Sequence, residues 1–101
     1  MNALTPRTHQ LLGRLFSGTS QEEMTMRLVR ECSAEALGCR NWTPQQMERL
    51  WFAVVKLAYE NPGRIAKTFD LARTDWRDLL MAAGFGQELD AHEKWWAKNA
   101  T

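Results

Sequence analysis

The 101-residue sequence predicts an all-α protein, a single-domain bundle of five or six short helices around a central apolar helix at about residues 43–60. Three observations lead to this fold class. The strong start signals along the chain are helix caps, proline and glycine are sparse and fall between apolar segments, and no stretch alternates apolar and polar residues as a strand does. The length suits one domain over residues 1–101.

The first two helices are predicted from the residues at their starts. Thr5 places a capping hydroxyl ahead of Pro6, a residue favoured at the first helical position. The second helix is expected to begin at a capping box formed by residues 20–23 (SQEE) and to end at a left-handed Gly38. Its predicted apolar stripe consists of residues four apart: Met24, Leu28, Cys32 and Ala36.

The third helix is predicted to be the hub of the core. Thr43, Pro44 and Gln46 combine a capping box with proline at the first helical position. Residues 50–55 (LWFAVV) follow and are apolar on nearly every side of a helix. Since such a helix is normally buried all round, we expect the other helices to pack around it.

Two signals conflict in the fourth helical segment, which follows a break at residues 61–63 (NPG). Apolar residues keep helical phase from Ile65 to residue 83, whereas Thr74 followed by an acid is typical of a new helix start. We favour a break or sharp bend near residues 71–74. Gly84 is predicted to close the helix, with Phe85 packing back against it.

A last amphipathic helix is predicted over residues 87–97. Its docking stripe is expected to contain residues at steps of four, three and four: Phe85, Leu89, His92 and Trp96. Trp95 lies about 100° around the helix from Trp96, so one indole is expected to be partly exposed. Trp95, flanked by Lys94 and Lys98, is therefore the predicted anchor for a protein partner or a second copy of the chain. The alternative is that Trp95 covers the edge of the bundle beside Ala91.

The balance of charges argues against nucleic acid or an anionic membrane as the main partner. Thirteen basic side chains face twelve acidic ones, without a basic or acidic tail, so a large electrostatic field for nucleic acid or an anionic membrane is not expected. The first ten residues lack the build of a signal peptide, and no apolar run approaches the roughly 20 residues that span a bilayer. We expect a cytoplasmic protein without a membrane partner. The five tryptophans suit either core anchors or an aromatic binding surface.

Residues 65–80 (IAKTFDLARTDWRDLL) resemble a helix-turn-helix of the bacterial repressor type. The likeness rests on small or apolar residues at the spacing of that motif: Ile65, Ala66, Phe69, Leu71, Trp76 and Leu79. It implies a turn at Asp70 and a recognition helix from about residue 73, with Arg73, Thr74 and Arg77 placed towards DNA. DNA binding is thus the alternative to a protein-contact function.

The C-terminal third, DWRDLLMAAGF followed by His92 and Trp95, resembles small bacterial helical proteins of uncharacterised function. That resemblance implies a bacterial cytosolic helical protein and no mechanism. Within the same stretch, residues 75–78 (DWRD) have structural explanations as a helix start with an apolar inner side and a charged outer side.

Residues suited to catalysis or metal binding are few. Cys32 and Cys39 are too far apart in sequence for a CxxC pair, and a disulfide between them is left open. His92 is expected to be a packed and hydrogen-bonded histidine at the edge of the core. Nothing in the sequence places His9 beside a thiol. We predict no enzymatic activity, no cofactor and no metal site, and a function through protein–protein contact with an unidentified partner or by self-association.

Overall fold

The computed structural model describes residues 4–99, which form helices joined by short turns, without a strand in that range. The seven α-helices are α1 (Pro6–Leu15), α2 (Gly18–Glu31), α3 (Ala34–Leu37), α4 (Pro44–Glu60), α5 (Ile65–Thr74), α6 (Trp76–Ala82) and α7 (Ala91–Asn99), with a 3-10 turn at Pro62–Arg64. The predicted all-α bundle is confirmed, and the helix number exceeds five or six because the one-turn α3 is separate from α2. No helix of the described range is long and apolar enough to cross a membrane.

Helix α4 is the centre of the bundle, as predicted. The capping box is present, since Thr43 Oγ1 accepts from Gln46 N and Gln46 Oε1 accepts from Thr43 N. All six residues of 50–55 are buried, and α1, α5, α6 and α7 pack against α4. The Trp51 indole donates from Nε1 to the Cys32 carbonyl at 2.9 Å, which joins the end of α2 to this central helix.

The predicted start of α2 is wrong, whereas that of α1 is confirmed. Thr5 caps α1 and accepts from Thr8 N. Helix α2 begins at Gly18, and Ser17 precedes it without a side-chain capping bond. Gly18 has a φ of +57°, and this left-handed backbone lets the chain turn into α2 two residues before Ser20. The expected capping box therefore lies inside the helix.

The predicted stripe of α2 holds only as far as Cys32. Ala36 is exposed because α2 ends at Glu31, which breaks the helical phase. Ser33 then caps α3 by accepting from Ala36 N at 3.1 Å. Gly38 ends α3 in the left-handed conformation, as predicted, with a φ of +71°.

The break between α5 and α6 is at Asp75, one residue beyond the predicted interval of 71–74. The Asp75 carboxylate accepts from the backbone nitrogens of Arg77 and Asp78, at 3.2 and 3.3 Å, so Asp75 rather than Thr74 is the cap. Gly84, with a φ of +82°, ends the helical stretch, and the Phe85 nitrogen bonds back to Leu80 O at 2.8 Å. The predicted closing turn is confirmed.

Replacement of Trp51 tests the hub. Trp51 is 2% exposed, and removing its indole leaves a cavity and an unpaired Cys32 carbonyl. Trp51→Ala should therefore lower the free energy of unfolding by about 3–5 kcal/mol, measured by urea denaturation. Met26→Ala, at a site that is 58% exposed, is the control and should change it little. A loss below about 1 kcal/mol for Trp51→Ala would contradict a buried hub.

Candidate functional site

A buried polar network joins the start of α1 to α4. Glu48 is only 6% exposed, and its carboxylate accepts a hydrogen bond from the Thr5 hydroxyl. The Thr5 and Thr8 hydroxyl oxygens are 2.7 Å apart, and Arg7 Nε lies 3.8 Å from Glu48 Oε1. Since a buried carboxylate is costly without partners, these contacts account for an acid at an otherwise apolar position of α4.

His92 lies on the inner side of α7 and is 5% exposed. Its ring packs against Phe52 and Phe85, with centroids 5.9 and 6.3 Å away. Neither ring nitrogen has a hydrogen-bond partner in the described range. The Glu93 carboxylate comes within 3.2 Å of Nε2, but without the geometry of a hydrogen bond. The expected packing at the core edge is confirmed, whereas the expected hydrogen bond is not found among the described residues.

Burial lowers the pKa of His92 below its usual value. Among its charged neighbours, Glu93 and Glu48 raise the pKa, while Arg49 and Arg7 lower it. His92 is therefore neutral at pH 7 and stands among two acids and two guanidinium groups.

The two arginines differ in their pairing. Arg7 Nη2 is 2.9 Å from Glu93 Oε1, and the guanidinium carbon of Arg7 stands 4.4 Å from the centroid of the Trp96 ring. Arg49 is half-buried and donates from Nη2 to the Phe85 carbonyl. Its Nε is buried without a hydrogen-bond partner, and no described carboxylate lies within 4.0 Å of its nitrogens. Within the described residues, the charge of Arg49 is thus not neutralised by a direct ion pair.

These groups surround a surface pocket of about 460 Å³ between α1, α4, and α7 with the segment that precedes it. Its lining residues are Arg7, Thr43, Gln45, Gln46, Arg49, Leu89, His92 and Glu93. Pockets of roughly 300–1,000 Å³ with a few converging polar groups are the usual sites for small ligands. The arrangement offers hydrogen-bond donors and one guanidinium, that of Arg49, without an ion pair among residues 4–99. The described residues contain no group of three or more His, Cys, Asp or Glu side chains that could hold a metal ion.

Both C-terminal indoles are half-buried, on either side of His92. Trp95 packs against Phe52 and Phe85, with centroids 6.3 and 6.0 Å apart. Trp96 covers Arg7 instead, and its Nε1 is buried without a hydrogen-bond partner. Trp95 thus rests on the edge of the core while part of it is open to solvent.

The predicted docking stripe is wrong at Leu89, which is 80% exposed. The cause is the helix start: α7 begins at Ala91 rather than at residue 87, so Leu89 precedes the helix and lies outside its phase. Phe85 and His92 are buried as predicted.

Lys94 and Lys98 are both exposed on α7 beside Trp95. Lys94 Nζ lies 3.2 Å from Glu88 Oε2 and 3.9 Å from Asp90 Oδ2. The hydrogen bond with Glu88 raises the pKa of Lys94. The sequence-predicted group of Trp95, Lys94 and Lys98 is therefore together on one flank of α7, and its role in partner binding stays a prediction.

The structure does not bring Arg73, Thr74 and Arg77 together at a helix start. Helix α5 continues through Asp70, where the resemblance implied a turn, and the junction is five residues later. Arg73 and Thr74 are at the end of α5, and Arg73 pairs with Asp70 and with Glu31 of α2. The predicted helix start at about residue 73 is therefore wrong: the next helix is α6, and of the three residues only Arg77 lies in its first turn. DNA binding stays a prediction.

The remaining candidate residues are separate from the pocket. Cys32 and Cys39 are buried free thiols, so the disulfide left open by the sequence is not formed. Burial raises the pKa of Cys32 to about 12 and also raises that of Cys39. His9 is exposed.

Sequence reasoning missed Arg7, Glu48 and Arg49. One signal could have found Glu48: it precedes Trp51 and Phe52 by three and four residues, which puts an acid on a buried face of α4. No comparable signal marks Arg7 and Arg49, because their meeting with His92 depends on how α1, α4 and α7 pack.

Comparison with known proteins finds no match among family models, curated proteins or solved structures. The fold and the site define a small all-α protein with a polar pocket at the junction of three helices.

The buried imidazole should make stability depend on pH. The folded-state pKa of His92 is below the unfolded value of about 6.5, so the unfolded chain takes up more protons as pH falls. The stability gained by keeping His92 neutral is therefore fully present above about pH 6.5. It is lost as pH falls from that value towards the folded-state pKa of His92. Urea denaturation at about pH 7.5 and pH 5.5 should show a smaller decrease for His92→Gln than for the wild type. His9→Gln, at an exposed site, should keep the wild-type decrease, and equal decreases in all three proteins would contradict the prediction.

Proposed function

We propose that this protein functions by contact with another protein chain through the α7 edge, the surface formed by Leu89, Lys94, Trp95 and Lys98. The observation that carries the proposal is the 80% exposure of Leu89, the most exposed of the large apolar side chains in the described range. Burying a leucine against a partner contributes about 1.5–3 kcal/mol, so a partner would gain by covering it.

The surroundings of Leu89 fit the usual anatomy of an interface. Lys94 contacts the residues on either side of it, Glu88 and Asp90, which gives the leucine a charged border. Protein interfaces commonly combine an apolar centre with a polar rim, and half-buried tryptophans such as Trp95 are frequent anchors.

The chemistry of the chain supports binding over catalysis. Burial raises the pKa of both cysteine thiols, so neither provides a thiolate nucleophile at neutral pH. Two free thiols also fit a reducing compartment, which supports the cytoplasm as the site of action.

Photo-cross-linking tests the surface. A photo-reactive benzoylphenylalanine in place of Leu89 should give a discrete adduct with a second protein in the source cell, because Leu89 is then in the contact. An excess of unlabelled wild-type protein should suppress the adduct, whereas Leu89→Asp should not compete.

The matched control carries the same photo-reactive residue in place of Met26, which is 58% exposed on α2. That variant should give no adduct of this kind. Equal adducts from both positions would contradict the α7 edge as the contact. So would suppression of the Leu89 adduct by an excess of the Leu89→Asp protein to the same extent as by the wild type. The same irradiation of purified protein identifies self-association, since the adduct then has the mass of two copies.

A further inference from the structure

The pocket between α1, α4 and α7 is lined by residues with polar groups that residues 4–99 do not satisfy. Within that range, both ring nitrogens of His92 and the Nε of Arg49 are buried without hydrogen-bond partners. Each such group forfeits the bonds it would make with water, and buried polar groups left so are rare in folded proteins. The residues that carry these nitrogens, His92 and Arg49, both line a concavity of about 460 Å³. This placement points to a ligand in the concavity that supplies the missing acceptor once the side chains turn towards it.

We propose that this pocket binds a carboxylate carrying a branched apolar group, with Arg49 and His92 contacting the carboxylate and Leu89 contacting the apolar group. A carboxylate is an acceptor at both oxygens and matches the planar donors of a guanidinium. The site shares Leu89 with the α7 edge, but its polar contacts come from Arg49 and His92, so it goes beyond the proposed protein contact.

The charges of the pocket favour a monoanion. Arg7 is already close to two carboxylates, Glu48 and Glu93, whereas Arg49 has none within 4.0 Å among residues 4–99. One negative charge compensates Arg49, while a phosphate dianion would place excess charge beside the two acids. A bound carboxylate also favours the protonated imidazole, so binding should draw a proton onto His92 and strengthen as pH falls.

The apolar part of the ligand follows from Leu89. This side chain lines the pocket and is 80% exposed, so it offers apolar area to a group bound there.

The half-exposed Glu93 already places its own carboxylate near Arg7 and His92. Glu93 therefore competes with an incoming carboxylate for His92.

The probe is isovalerate, a branched carboxylate, followed by NMR of the two histidine rings. His92 signals should shift in a saturable manner, while the exposed His9 serves as the internal reference and should not shift. Isovaleramide has the same shape without the charge and should leave His92 unchanged, and inorganic phosphate should bind more weakly than isovalerate. The affinity for isovalerate should be higher at about pH 5.5 than at about pH 7.5, because His92 takes up a proton on binding.

Variants separate the site from a general charge effect. Arg49→Gln should weaken isovalerate binding about tenfold or more, because it removes a hydrogen bond from a charged donor. Leu89→Asp, at an exposed position that folding does not depend on, should abolish binding by repulsion. Glu93→Gln should tighten binding by removing the competitor. Arg30→Gln, an exposed arginine on α2, is the control and should bind as the wild type does.

The source of the carboxylate is distinguished by a second pair of probes. A short peptide ending in leucine with a free carboxylate should shift His92, and its C-terminal amide should not. Tighter binding of that peptide than of isovalerate assigns the site to a chain terminus, and the reverse assigns it to a free acid.

The proposal is overturned if no probe gives a saturable His92 shift, if isovaleramide binds as well as isovalerate, or if the Leu89→Asp variant binds isovalerate as well as the Arg30→Gln variant does. These results do not depend on a protein partner, so they are separate from the cross-linking outcome.

Discussion

The burial of α4 on every side is the constraint on which the rest of the structure depends. A helix with Leu50 to Val55 wholly out of water needs neighbours all round, and α1, α5, α6 and α7 provide them. Successive residues of α4 point about 100° apart, so Glu48 and Arg49 at its border face different neighbours. Glu48 meets the start of α1, and Arg49 meets Phe85 and the segment before α7. The polar pocket is thus a consequence of how the central helix is enclosed.

Aromatic rings form the boundary between this pocket and the core. Phe52 and Phe85 lie against His92 and Trp95, and Trp96 covers the guanidinium of Arg7. Such surroundings exclude water and lower the local dielectric, which strengthens each polar contact that is made and raises the cost of each that is not. The same rings that complete the core therefore also set how strongly the polar groups of the pocket interact.

The fold was largely predictable because its determinants are local. Thr5, Thr43 and Gly84 act within a few residues of themselves, and the structure places them as the sequence indicates. The predicted helix start at Ser20 was wrong because the left-handed Gly18 provides an earlier turn into α2. The predicted burial of Leu89 was wrong because α7 starts after Leu89, which therefore lies outside the helical phase. The pocket was not predictable, since Arg7, Arg49 and His92 come from three helices and meet only through packing.

The position of Cys32 has a consequence for how the chain can be observed. Its thiol is fully buried, has a pKa of about 12, and belongs to the residue whose carbonyl holds the Trp51 indole. Thiol reagents attack an accessible thiolate, so they reach Cys32 only when the packing around it opens. The rate of alkylation at Cys32 thereby measures the free energy of that opening under native conditions, in the manner of hydrogen exchange. The protein carries a built-in reporter of fluctuations in its own core.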